Sequence, residues 1–138
     1  MEQEEFQYNL DVKRRDSLIF REQELKDLRD YSCENFNGLD RTTFETLINE
    51  RFLDPDERVN EIPTARQFLD FMQRHSGEKI SALGYAVCVE RSDYRVTIEG
   101  LEGEQLSHEA LVDFSNSFER ADELDVDFEN RKARCWYD

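Results

Sequence analysis

Leu83-Gly-Tyr-Ala-Val-Cys-Val-Glu-Arg-Ser-Asp-Tyr-Arg-Val-Thr-Ile-Glu99 is the stretch whose reading decides the fold. Tyr85, Val87 and Val89 make its first part rich in β formers, and Ser92-Asp93 offers a tight turn. From Tyr94 the side chains alternate, with Tyr94, Val96 and Ile98 on one side and Arg95, Thr97 and Glu99 on the other. A period of two predicts strands, here 83–91 and 94–99, paired as an antiparallel hairpin. The turn lacks the favoured Asn-Gly pair.

Downstream, Gly100-Leu-Glu-Gly-Glu104 reads as a short loop. Ser107 suits a helix N-cap, and Glu109 suits the positive end of the helix dipole. Ala110, Leu111, Phe114, Phe118 and Ala121 then form one apolar face. Leu124, Val126 and Phe128 alternate with Asp125, Asp127 and Glu129, Asn130-Arg131-Lys132 turns the chain, and 133–137 reads as a last strand. Residues 78–138 are therefore expected to run β-β-α-β-β.

Upstream, Phe6, Tyr8, Leu10 and Val12 alternate with polar residues and predict a half-buried strand. Lys13-Arg14-Arg15-Asp16 breaks it. Leu25, Leu28, Ser32 and Asn35/Phe36 follow helical spacing over 22–36, with Asn37-Gly38 as the stop. Asp40 is an N-cap for a helix over 41–53, striped by Phe44, Leu47, Ile48 and Phe52. Pro63 suits the entry to a third helix over 64–75, striped by Ala65, Phe68, Leu69 and Met72. Residues 1–77 thus carry one strand and three helices. The whole, 1–138, reads as a single α+β domain, with an antiparallel sheet of four or five strands and helices on one face. The other face is expected to be wet.

The 138 residues are 38% hydrophobic, with ten Phe, five Tyr and one Trp, enough to build a core. Charged residues reach 37% and the net charge is −15. Such a surface repels phosphate backbones and anionic membranes and attracts basic proteins. Direct nucleic-acid binding and membrane association are therefore not expected. Cys33, Cys88 and Cys135 are odd in number and widely spaced, which argues against a disulfide framework or a zinc site. Met1-Glu-Gln-Glu-Glu5 has neither the basic nor the apolar region of a signal peptide, and no apolar run reaches about 20 residues. A reducing cytoplasm is the expected compartment.

Catalytic motifs are missing. His75 and His108 belong to no readable triad, and no Gly-rich phosphate loop, GxSxG or HExxH occurs. Asp54-Pro-Asp-Glu57 lacks the Gly and the distal Glu of a calcium loop. No cofactor or metal is expected.

The strongest local signal is Asp125-x-Asp127-x-Glu129. Alternate strand residues point the same way about 7 Å apart, so three carboxylates would form a ridge resembling a row of phosphates. Residues 98–138 hold 12 acids and 4 bases, a net of −8 and more than half of the total. An ordinary solvated outer face accounts for the same alternation. Trp136 shares the register of Arg134; if Cys135 and Tyr137 face the core, Trp136 lies outward as an interface anchor. In size and charge the chain resembles small acidic inhibitors carried by phages and plasmids, such as anti-restriction and anti-CRISPR proteins and other DNA mimics. That likeness is compositional and covers no motif.

Three functions are weighed. The first is a non-catalytic acidic inhibitor that binds a basic, nucleic-acid-binding protein through Asp125, Asp127, Glu129, Glu99 and Trp136. The second is an immunity-type or adaptor protein whose aromatic patch matters more than its charge. The third, a small-molecule enzyme or binder, needs a pocket of convergent polar groups.

Overall fold

The computed structural model describes residues 5–20, 33–58 and 60–138. The elements run α1 (Val12–Ile19), β1 (Cys33–Leu39), α2 (Arg41–Asn49), α3 (Ala65–Arg74), β2 (Lys79–Val87), β3 (Val96–Glu104), α4 (His108–Ser117), β4 (Glu123–Asp127) and β5 (Lys132–Trp136). The strands form one antiparallel sheet in the order β1-β2-β3-β5-β4. The α+β class and the antiparallel sheet agree with the expectation.

Three helices start where their caps lie. The side chains of Asp40, Thr64 and Ser107 accept from the backbone N–H groups of Thr43, Gln67 and Ala110. At Thr64 a Gln67 side chain reaches back to complete a capping box. Phe44 and Leu47 of α2, Phe68 and Phe71 of α3, and Leu111 and Phe114 of α4 are buried against Ala82, Ala86, Ile98, Leu101 and Cys135 of the sheet. Phe68 stacks on Phe118 at 5.7 Å and meets Tyr137 edge-on at 6.0 Å, which ties α3 to the residues that follow α4 and β5.

The first half departs from expectation in two places. Phe6–Asp11 forms no strand, and the chain enters a helix at Val12. Alternation there serves side-chain contacts instead of a ladder. Phe6 meets the Tyr8 ring edge-on, Tyr8 donates to Glu57, and the Asn9 N–H donates to the Arg51 carbonyl. Asp11 caps α1 by accepting from the Arg14 N–H. The fifth strand is instead Cys33–Leu39, the end of the segment expected to be helical. The rest of that segment, 21–32, lies outside the described residues. Asn35, Asn37 and Gly38 are poor strand formers locally, yet the β2 edge offers hydrogen-bond partners, and Gly38 takes φ 68 at a bulge.

The hairpin is present with shifted ends. β2 begins earlier, because Ile80 and Ala82 enter the core, and stops at Val87, before an exposed Val89. β3 runs on through 100–104, the expected loop. Gly100 there marks close backbone approach: a Cβ on it would sit 2.0 Å from the Cys135 carbonyl oxygen.

Candidate functional site

Antiparallel register places directly paired residues on the same face. Ala82, Leu101, Cys135 and Leu124 form an inward row. The outward rows follow on either side. One is Leu83, Gly100, Trp136 and Glu123; the next is Ser81, Glu102, Arg134 and Asp125. Beyond them Lys79 pairs with Glu104, and Asp127 with Lys132.

Asp125 and Asp127 therefore lie where the alternation places them, on the outward face of edge strand β4. Glu129 does not. It sits in the turn after β4, because the strand ends at Asp127. The Asp127 carboxylate closes that turn by accepting from the Asn130 backbone at 3.0 Å and its side chain at 2.7 Å. These bonds, first the side-chain one, hold its pKa below the usual aspartate value. The third carboxylate of the row is Glu123, which accepts from Arg134 at 3.2 Å. Lys132 and Arg134 set a cationic row between this acidic row and Glu102, so the face alternates in charge instead of being uniformly acidic. A strict i, i+2 count back from Asp125 would have found Glu123; the interleaved cations depend on strand order, which periodicity does not give.

Trp136 points outward and is partly buried, between inward-facing Cys135 and Tyr137. Gly100 stands between it and Leu83 in the outward row, and a Cβ there would meet the backbone of Cys135 and Trp136. Glu99, at the register shift of β3 opposite Leu83/Gly84, is also partly buried. Burial raises its pKa, Asp138 raises it further, and a hydrogen bond from Trp136 works against both. Glu99 and Trp136 are thus neighbours, whereas Glu129 lies apart from both.

Two open grooves cross the outward face. One of about 800 Å3 is lined by Lys79, Glu102, Asp125, Asp127, Lys132 and Arg134 among others. A second of about 900 Å3 is lined by Tyr85, Glu99 and Trp136, and the two share Glu102 and Arg134. Neither of these two grooves is lined by His75, His108 or a cysteine. His75 instead bonds Asp113 at 2.6 Å and lies 3.5 Å from Glu78, clasping α3 to α4. Among the described residues no group of His, Cys, Asp and Glu is placed to hold a metal, and no helix is long and apolar enough to cross a membrane. Compared with protein-family models, curated proteins and solved structures, the chain matches none.

Proposed function

We infer that this chain is a non-catalytic binding protein whose partner is a basic protein, engaged along β4 and the adjoining outward sheet face. The observation that supports it is the row Glu123, Asp125 and Asp127 along an edge strand, in a region carrying more than half of the net negative charge. Long-range attraction would draw a cationic surface in, and the row would meet it at about 7 Å intervals. Proteins that bind nucleic acid present such surfaces, so an inhibitor of one of them, as in phage or plasmid anti-defence systems, is the function proposed. Lys132 and Arg134 confine the phosphate-like row to the edge. The test replaces Glu123, Asp125 and Asp127 by Gln, Asn and Asn and compares the basic proteins captured from lysate at low and high salt. Unchanged, salt-insensitive capture overturns the reading.

A second reading rests on Trp136, whose outward ring sits in a groove with Tyr85. An immunity-type or adaptor protein would recognise one partner through this aromatic patch. Trp136→Ala would then cost more affinity than neutralising the β4 row, and the reverse ranking rejects it.

A further inference from the structure

β4 is an edge of the sheet, and its register with β5 is unbroken over all five residues. The opposite edge, β1, is bulged between Phe36 and Leu39. A bulge blunts an edge; a regular edge keeps one row of backbone N–H and C=O groups available for another strand. The inward side chains of β4 are also incompletely covered. Leu124 and Val126 are only partly buried, while their β5 neighbours Cys135 and Ala133 are 0% and 4% exposed. Phe128, which follows the strand, is 48% exposed.

We propose that β4 is a docking edge for an extended segment of the partner, which adds to the sheet as a sixth strand with basic residues outward and apolar residues inward. β5 already demonstrates the complement on the inner side of β4. Its Lys132-Ala-Arg134-Cys sets Lys132 opposite Asp127 and Arg134 opposite Asp125, with Ala133 and Cys135 beneath Val126 and Leu124. Among the described residues β5 is the one strand paired with β4, and a segment of the same pattern on the side away from β5 meets the same acidic row and completes the cover of Leu124 and Val126. Main-chain hydrogen bonds supply affinity and the alternating side chains supply specificity. A second copy of this chain is a poor occupant, because pairing β4 with β4 sets two acidic rows against each other. The proposal rests on the basic-partner reading and deepens it.

The test uses the full chain and an end-capped peptide, Thr-Lys-Val-Arg-Val-Lys-Thr. Binding is followed by NMR at the amides of 123–127. The peptide is expected to shift and protect those amides. Its N-methylated form, with charges intact and alternate N–H groups removed, is expected to bind roughly tenfold more weakly, as loss of a few hydrogen bonds implies. Asp125→Lys, an exposed single change, is expected to shift preference toward the counterpart Thr-Glu-Val-Asp-Val-Glu-Thr. Equal binding of the N-methylated peptide, or binding that leaves the β4 amides unprotected, overturns strand addition and leaves an electrostatic partner surface in place. No binding by either basic peptide overturns both readings.

Discussion

The Arg15 guanidinium donates to the Val87 carbonyl oxygen at 2.7 Å while its side chain is 0% exposed. The same guanidinium pairs with Asp16 at 3.0 Å and lies 4.7 Å from the centre of the Tyr94 ring. One buried cation thus fastens α1 to the end of β2 and to the segment leading into β3. A buried charge is tolerated only when its hydrogen bonds are made, and here backbone, carboxylate and ring share it.

Removing that cation strips partners from groups that stay buried. Arg15→Ala is expected to lower stability by about 3–5 kcal/mol. Arg15→Lys recovers little, because an ammonium cannot reproduce the planar fork. Urea unfolding of both variants checks this; a lysine variant as stable as the parent contradicts it.

Glu99 gives a pH-dependent prediction. Its pKa lies above the ordinary glutamate value of 4.5, because burial and then Asp138 disfavour the anion. The folded state therefore holds the Glu99 proton more tightly than the unfolded chain does. This contribution is fully present below 4.5 and is lost as pH rises through the folded pKa. Glu99→Gln is expected to stabilise the protein in mildly alkaline buffer, with the gap closing as pH falls toward 4.5. Trp136→Phe removes the indole donor and is expected to raise the Glu99 pKa further, read by NMR titration of its carboxyl carbon.

Two glycines should respond in opposite ways. A Cβ on Gly100 would sit 2.0 Å from the Cys135 carbonyl oxygen, a backbone atom that cannot move without disturbing the β3–β5 pairing. Gly100→Ala is expected to cost about 3 kcal/mol or more, at the upper end of overpacking. Gly77 has open space around its Cβ position. Gly77→Ala is expected to be neutral or stabilising by up to about 1 kcal/mol. Thermal unfolding of the pair checks the contrast.

Thiol reactivity should separate the cysteines. Burial pushes the Cys135 pKa up to about 12, and the side chain is 0% exposed, so little thiolate is available to attack a reagent. Cys33 is exposed. A disulfide reagent at neutral pH is expected to label Cys33 in the native protein and Cys135 only after denaturant is added. Rapid native labelling of Cys135 would show that the β3–β5 pairing opens readily.

The sequence carried what repeats locally. Asp40 and Ser107 announced two helices because a capping side chain acts within three residues of itself, and Pro63 announced the third, whose cap is its neighbour Thr64. Leu124, Val126, Ala133 and Cys135 announced two strands because one face of each must be apolar. The first half was less legible for equally local reasons. α1 buries an arginine, so no apolar stripe marks it. β1 contains two asparagines and a glycine, and it is a strand only because β2 stands beside it.

The outward face divides in the same way. That Asp125 and Asp127 share a side, and that Trp136 lies opposite Cys135, follow from a period of two and were settled by sequence alone. Which strands are neighbours was not. Only the order β3-β5-β4 sets Arg134 between Glu102 and Asp125, brings Trp136 against Glu99, and leaves β4 at an edge. Periodicity fixes the side on which a residue lies; long-range pairing of backbones distant in the chain decides what stands next to it.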